Sequence, residues 1–500
     1  MAKAKIQNFL HPIDRVAIAS ILTLSITIAL MTWGGRACTG DCWLHAGPRV
    51  RNFSWQNQKV SAEDTAFLLT FSRPMDRESV ETNLVLEPPL SGKTSWVGRT
   101  MAYTLDAPAP YGVDYQLSVK GAKERFTDED QGTPILPFEA EFSTRDRAFA
   151  YIGVEGDEEG RLILFNFTTE EKTPLTPPNL IVTDFKPYRD RTGILVSAID
   201  RRSKELDPLE QQLYIAPTGL DSSDQSTVGS VQRVVDNQDY QNLAFDLSRD
   251  GESIVVQRIH RKNPADVGLW IERDDRPIER LSDTPGGEFA IAPDSKTLVS
   301  GKGEGIALLS LDPDQEPLDF LPKFGRILSF NGDGSAAAMV NFNKNNPDLR
   351  YVQSLYLVDN QGTQRKVADV RGSIVNCEFN PAGTTLYCLL TELIEGEQYS
   401  EQPYFAAIDL EEQQGAPILK LPDYRDIHMS LAPDGLGILF DRVVVDPQLE
   451  PTAILRTNSG EAIATSNLWL LITPSSLPDK NAPPALEKLP IPGMRPQWLP

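Results

Sequence analysis

The chain contains few of the residues from which metal sites and nucleophilic catalytic sites are usually built. Its 500 residues include only four histidines and four cysteines. A protein metal site generally needs three or four His, Cys or carboxylate ligands in a recognisable spacing, and no such cluster stands out. The sequence therefore predicts neither a metal nor an organic cofactor.

Positive charge is also scarce. The chain has 48 basic and 70 acidic residues, so its net charge is 48 − 70 = −22. Binding to a phosphate backbone requires a basic surface, and this balance argues against a nucleic-acid partner. Apolar residues make up 40% and charged residues 24% of the chain, which is typical of folded globular proteins. A length of 500 residues suits two or three domains.

Catalytic motifs are missing as well. The sequence has no Gly-x-Ser-x-Gly elbow, no phosphate-binding loop and no dinucleotide fingerprint. His45, His260 and His428 are not close in sequence to other ligand-type residues, so we interpret each as an ordinary surface or core histidine. The sequence therefore predicts that the protein is not an enzyme, and it offers no catalytic residues.

One long apolar run lies near the N-terminus. Residues 16–35 carry no charge and are bounded by Arg15 and Arg36. A helix of 20 residues would rise roughly 30 Å, the thickness of a bilayer core. The run predicts a single transmembrane anchor, with a cytosolic tail at 1–15 and a juxtamembrane linker at 36–48. A cleaved secretion signal is the alternative.

The cysteines add a second indication of export. Cys38 and Cys42 are close in sequence, and Cys377 and Cys388 would face each other across a predicted hairpin. Two disulfides would imply an oxidising compartment, whereas four reduced thiols remain possible. We therefore expect the bulk of the chain to be extracytoplasmic, in a periplasm, a lumen or at a cell surface.

Residues 49–145 show the alternation of a β-domain. Phe67, Leu69 and Phe71 alternate with other residues, and Pro-containing and Gly-containing turns separate such runs. Six or seven short strands in this length predict an antiparallel β-sandwich. The run resembles the bacterial Ig-like domain of the surface-layer SbsA type. The resemblance is carried by Phe71-Ser72-Arg73-Pro74-Met75-Asp76, Trp96, Tyr103-Thr104-Leu105, Tyr111-Gly112-Val113-Asp114-Tyr115-Gln116-Leu117 and Phe142-Ser143-Thr144. It implies a spacer or adhesive module of an extracytoplasmic protein.

Residues 146–500 contain a repeat. An apolar residue is followed by a turn rich in Pro, Asp and Gly, and a second apolar residue follows seven positions after the first. Copies begin at Leu247, Ile291, Phe330, Phe379 and Leu431, and a looser copy begins at Phe185. Each predicts a tight hairpin, and each is followed by a strand pattern such as Leu269-Trp270-Ile271. The repeat resembles that of TolB-type (WD40-like) β-propellers, which implies four-stranded blades and leaves the function open.

The two ends of the repeat region predict how the ring closes. Ala148–Phe167 supplies strands without a preceding inner strand, and the chain ends in a strand-like run at 494–500. If this tail completes the first blade, the propeller has seven blades. If the tail is a frayed terminus, it has six. The predicted fold is therefore all-β after the anchor: an Ig-like sandwich and then a propeller that the C-terminal strand closes.

The most variable segments of the repeats lie between their second and third strands. In a propeller these loops share one face, and such insertions often form binding surfaces. The hypothesis is that this face binds a protein partner of the cell envelope, although tolerated surface insertions would look the same. The candidate contact residues are Tyr351, Glu392, Glu395, Glu397, Tyr399 and Glu401.

The favoured function is therefore a non-enzymatic, membrane-anchored extracytoplasmic scaffold that binds a protein through the propeller. An attachment module of the envelope or surface layer is an alternative. A propeller hydrolase or lyase that uses carboxylates in the central channel is the disfavoured third possibility.

Overall fold

The computed structural model describes residues 20–28, 47–125, 132–202, 208–220, 226–274, 276–282, 287–302, 305–315, 318–394, 396, 399–421, 426–449, 453–474 and 484–500. These residues form 35 β-strands, two α-helices and a few single 3₁₀ turns. The prediction of an all-β protein is confirmed for this part of the chain.

The predicted transmembrane anchor is wrong. Within the predicted span 16–35, the structure describes one helix, α1, at residues 20–28. Among the described residues, no helix is both long enough and apolar enough to cross a membrane. This finding contradicts the prediction of a single-pass protein with a cytosolic N-terminus and an extracytoplasmic bulk. The tail 1–15, Cys38 and Cys42 lie outside the described residues.

Residues 50–144 form two four-stranded sheets that share one core. The first has the order β1-β3-β6-β5 and the second β2-β8-β7-β4. The strands are β1 (Val50–Phe53), β2 (Lys59–Val60), β3 (Ala66–Phe71), β4 (Leu84–Glu87), β5 (Gly92–Val97), β6 (Thr100–Leu105), β7 (Asp114–Val119) and β8 (Phe138–Thr144). A short helix, α2 (Arg77–Asn83), precedes β4 and is capped by the Asp76 side chain. We call this unit the sandwich.

The predicted alternation explains the core of the sandwich. Phe67, Leu69 and Phe71 are fully buried, whereas their neighbours in β3 are mostly exposed. Tyr115 of β7 stacks on Phe142 of β8 with ring centroids 5.1 Å apart. Because successive strand residues point to opposite faces, this period of two turns one face of each sheet inward.

The rest of the chain is a series of antiparallel four-stranded sheets, each formed by consecutive strands. The first sheet contains β12 (Leu180–Pro187), β13 (Gly193–Asp200), β14 (Gln212–Pro217) and β15 (Gln232–Val235). The second contains β16 (Tyr240–Leu247), β17 (Ile254–His260), β18 (Asn263–Arg273) and β19 (Arg276–Ser282). The next three are β20 (Phe289–Ile291), β21 (Thr297–Lys302), β22 (Gly305–Ser310), β23 (Asp319–Pro322); β24 (Arg326–Phe330), β25 (Ala336–Asn341), β26 (Val352–Asp359), β27 (Gln364–Arg371); and β28 (Ile374–Phe379), β29 (Thr385–Ile394), β30 (Ser400–Asp409), β31 (Gln414–Lys420). This meander is the strand order of propeller blades.

The two ends of this array share one seven-stranded sheet of order β11-β10-β9-β35-β34-β33-β32. Its strands are β9 (Ala148–Gly153), β10 (Leu162–Asn166), β11 (Glu171–Pro174), β32 (Met429–Leu431), β33 (Gly437–Val445), β34 (Ile463–Ile472) and β35 (Leu486–Trp498). Strand β35 pairs with β34 over its first half and with β9 over its second half. The C-terminal strand therefore joins the last strands of the array to the first.

The repeated motif forms the turn between the first and second strands of each sheet. In all six copies the fourth turn residue, or its equivalent, has a positive φ, and its amide donates back across the turn. Four copies place glycine there (Gly251, Gly334, Gly383 and Gly435), and the other two use Ser295 and Arg191. Glycine adopts this conformation without the steric cost that a Cβ brings, which explains the recurring Gly.

The sheets pack face to face with their neighbours. Strand β13 is buried along nearly its whole length, and the apolar clusters contain residues of successive sheets, such as Val340 with Leu390. Cys377 and Cys388 lie opposite each other on β28 and β29 and form a disulfide inside that core. A sheet that is apolar on both faces needs a neighbour on each side, and the array supplies both.

Candidate binding face and central channel

Two cavities are lined by opposite ends of the same strands. The turn-face cavity, about 950 Å³, is lined by the repeated turns and by residues 61–65 of the sandwich. The loop-face cavity, about 480 Å³, is lined by residues near the connections at the other end of the sheets. Glu378 of β28 lines both cavities, so its side chain lies on the path between the two faces. We use the names turn face and loop face for the two ends.

A histidine and a buried carboxylate meet beneath the loop-face cavity. The Asp441 side chain is fully buried, and its Oδ2 lies 3.2 Å from Nδ1 of His428. The backbone amides of His428 and Arg495 donate to the same carboxylate at 2.7 and 2.8 Å. With Nδ1–H donating to Asp441, the other ring nitrogen is a hydrogen-bond acceptor, and it lies 3.5 Å from the Asn458 amide nitrogen. The pair can therefore hold an imidazole in a fixed orientation at the cavity wall.

The backbone is strained beside this pair. Arg495 and Asp426 both line the cavity and both have positive φ, 50° and 54°. The Arg495 guanidinium contacts the Asn458 carbonyl oxygen and lies 3.6 Å from the Asp184 carboxylate. Non-glycine residues in the left-handed region cost free energy and cluster at ligand sites. Two of the residues that line the loop-face cavity therefore carry backbone strain.

Glu378 has the most perturbed carboxyl group along this path. Burial raises its pKa to about 7, although the Leu431 amide and the Asn376 side chain donate to it and act in the opposite direction. A carboxyl group that is half protonated near neutral pH can accept or release a proton.

Three of the residues predicted to bind a partner lie together on the loop face. The rings of Tyr351 and Tyr399 are 5.7 Å apart, and the two residues are 47% and 64% exposed. The Tyr399 hydroxyl contacts the Glu401 carboxylate, and this hydrogen bond is the main cause that raises the pKa of Tyr399 to about 12. Glu401 also lines the loop-face cavity. The aromatic pair therefore stands at the cavity rim.

The other predicted contact residues are arranged differently. Glu392 forms a 3.2 Å ion pair with Lys420 of the neighbouring outer strand. Glu395 and Glu397 lie outside the described residues.

The interpretation of His428 as an isolated histidine overlooked Asp441, which lies 13 positions further along the chain. One signal was present in the sequence. Asp441 follows the apolar run Gly437-Ile438-Leu439-Phe440 within one strand, and a carboxylate inside such a run needs buried partners. His260 instead packs its ring edge-on against Tyr240, and His45 lies outside the described residues. Within the described part of the chain, no group of three or more His, Cys, Asp or Glu side chains could hold a metal ion.

No protein-family model and no curated protein matches the chain. Among solved structures, an oligogalacturonate lyase from Vibrio parahaemolyticus is 12% identical and covers 72% of this chain and 99% of its own, with a TM-score of 0.46. TolB from Acinetobacter baumannii is 12% identical and covers 84% of this chain and 83% of its own, with a TM-score of 0.38. A hypothetical selenium-binding protein from Sulfolobus tokodaii is 11% identical and covers 71% and 93%, with a TM-score of 0.44.

TolB is thus one of the proteins to which the chain is similar. At TM-scores below 0.5 these likenesses carry no argument about the chain. The SbsA-type resemblance of the sandwich has no counterpart in these comparisons and stays a prediction.

Proposed function

We propose that residues 146–500 form a closed β-propeller of seven blades whose loop face binds a protein partner. Five blades are the sheets that start at β12, β16, β20, β24 and β28. The other two share β35: residues 486–492 complete the blade of β32–β34, and residues 493–498 provide the inner strand before β9. A ring that ended at β34 would leave the pairing of β35 with β9 unexplained. On this proposal the chain acts by binding rather than by catalysis.

The observation that supports partner binding is the exposed pair Tyr351 and Tyr399. Both residues are exposed, and their rings lie against each other beside Glu401, which lines the loop-face cavity. Tyrosine is enriched among the residues that dominate binding energy at protein interfaces, because it combines a large apolar area with a hydrogen-bonding tip. Arg350, whose guanidinium lies 5.2 Å from the Tyr351 ring centroid, extends the same patch.

Site-specific photo-crosslinking tests this surface. A photoreactive phenylalanine analogue at position 399 should capture one defined protein in the source cells, and the same analogue at position 320 should not. Phe320 is a suitable control because it is an exposed aromatic residue of β23 that lines neither of the two cavities. With the captured protein purified, Tyr399→Ala should weaken binding by about tenfold or more, as expected for an interface hot spot. Equal capture from positions 399 and 320 would contradict the proposal.

A second candidate is an enzyme, and the His428–Asp441 pair favours it. A buried carboxylate that orients an imidazole beside a cavity is the geometry of a general acid or base. The two candidates differ in one measurement. If the loop face is catalytic, a panel of hydrolase and lyase substrates should include at least one that the wild type converts and that the His428→Asn variant does not convert. A binding scaffold converts none of them.

A further inference from the structure

The turn-face cavity contains three arginines, two of which contact one side-chain carboxylate. Arg145, Arg189 and Arg249 all line it. The Glu63 carboxylate, from the sandwich loop at 61–65, lies 2.7 Å from Arg249 and also contacts Arg189. Arg145 donates to the backbone oxygens of Arg189 and Pro500 at 3.4 Å. Glu63 is thus held by two guanidinium groups where the sandwich meets the propeller.

Arg189, one of the two arginines that contact Glu63, has spare hydrogen-bonding capacity. Each guanidinium has five N–H donors, and Nε of Arg189 is buried without an acceptor among the described residues. Burial and the nearby charge of Arg249 lower the pKa of Arg189 to about 10. Two like charges are therefore held close together in a partly dehydrated site, which favours any further negative group that can reach them.

The aspartates of the surrounding turns are engaged elsewhere. Asp190 accepts hydrogen bonds from Thr192, Asp250 from Ser248 and Glu252, and Asp333 from Ser335. These carboxylates stabilise their own turns. Glu63 is the carboxylate that is placed between the arginines, and its side chain is 45% exposed, so a solute can compete with it.

The position of the arginines in the repeat shows that the turns do not require them. Arg189 and Arg249 each precede the turn aspartate, where the other Asp-containing copies have Pro293, Gly332 and Pro433. Proline suits that position because its φ is fixed for the turn, so arginine gives up a backbone advantage there. The two copies that have arginine at this position belong to adjacent sheets, and both arginine side chains contact Glu63.

We propose that the turn-face cavity binds a small ligand through an oxyanion, a carboxylate or a phosphate group, which takes the place of the Glu63 carboxylate between Arg189 and Arg249. Guanidinium groups recognise both oxyanions through paired N–H donors. Tyr188, Phe330 and Trp498 also line the cavity, so the ligand has room for an apolar part next to the anionic one. This site is separate from the loop-face surface and does not depend on its function.

The test removes the resident carboxylate. Calorimetric titrations of the wild type and Glu63→Gln with inorganic phosphate, and separately with glutarate, are compared at constant ionic strength set with sodium chloride. At least one probe should bind Glu63→Gln about tenfold more tightly than the wild type, because the competing carboxylate is gone. Preference for phosphate or for glutarate identifies which oxyanion the site takes. A gain in affinity cannot arise from misfolding.

Two further variants assign the gain to the arginines. Adding Arg249→Gln to Glu63→Gln should abolish the gain. Adding Arg99→Gln should preserve it, because Arg99 donates to the Ser72 carbonyl within the sandwich and does not line the cavity. The proposal is overturned if neither probe binds Glu63→Gln more tightly than the wild type, or if the gain survives the loss of Arg249.

Discussion

The two faces of the propeller are built in different ways. On the turn face, six copies of one motif satisfy their own hydrogen bonds, as when the amides of Gly251 and Gly435 donate back across their turns. On the loop face, the connections differ in length, and Tyr351 and Tyr399 are exposed. The difference indicates that the repeated turns maintain the fold at the turn face, whereas the connections at the loop face can vary in sequence and length.

The turn face departs from its own repeat where the sandwich touches it. Asp434 lies in the last copy, and besides supporting its turn it pairs with Arg147 and accepts the Tyr111 amide of the sandwich. Arg189 and Arg249 are a second departure. The turn face therefore follows the repeat where its residues bond only within their own turns, and it departs from the repeat where they contact the sandwich.

Removing residues 494–500 should have the largest effect, because this segment serves both faces. Arg495 lines the loop-face cavity and Trp498 the turn-face cavity, while Met494, Trp498 and Leu499 are at most 6% exposed. Loss of two or three large buried side chains costs about 5 kcal/mol or more, a large part of a typical domain's stability. We expect the thermal midpoint to fall by more than ten degrees, measured by circular dichroism.

Deletion of Pro500 alone is the control for that experiment, since it leaves β35 intact. If the seven-residue deletion melted like the control, β35 would not tie the ends of the array together, and the seven-bladed ring would be wrong.

Asp434→Asn should have the next largest effect, and it acts on the turn face alone. The Asp434 side chain is 1% exposed and contacts Arg147; asparagine would leave that arginine without its counter-charge. Breaking a buried ion pair by removing one partner costs about 3–5 kcal/mol. Because the pair lies where the sandwich meets the propeller, calorimetry should show the unfolding transition separating into two.

Asp441→Asn is the matched comparison, because Asp441 is equally buried but pairs with His428 and Arg495, which belong to the propeller. It should lower the thermal midpoint without splitting the transition. Splitting in both variants, or in neither, would show that the contact of Asp434 with Tyr111 and Arg147 does not couple the two units.

The regular parts of this fold could be predicted because their signals are local. The seven-position spacing from Leu431 to Ile438 encloses a complete turn, so each copy specifies its own hairpin without reference to the rest of the chain. Cys377 and Cys388 could be placed opposite each other for the same reason, since they belong to one such hairpin.

The sites could not be predicted in the same way, because they depend on distant segments. Asp441 meets Arg495 across 54 positions, and Glu63 meets Arg249 across 186 positions. The prediction of the anchor rested on apolar composition alone, and no helix among the described residues is both long enough and apolar enough to cross a membrane.

The smallest predicted effect concerns Glu378, which lies between the two faces and lines both cavities. Its pKa is raised by burial to about 7 in the folded chain, above its ordinary value of 4.5. The folded state then binds more protons than the unfolded state between these two values, so this group's contribution to stability is complete below about pH 4.5 and is lost as the pH rises through 7. The loss amounts to roughly 1–3 kcal/mol, because a tenfold change in proton affinity corresponds to about 1.4 kcal/mol.

Glu378→Gln removes this titration while keeping the size of the side chain and its ability to accept the Leu431 amide. The free energy of unfolding, measured with urea at pH 5, 6, 7 and 8, should fall more steeply for the wild type than for the variant, so that the two curves diverge as the pH rises. The comparison cancels the other carboxylates of this strongly acidic chain, because both proteins carry them. Parallel curves would mean that water reaches Glu378 freely from one of the two cavities, and the channel would then be continuous with solvent rather than closed at this residue.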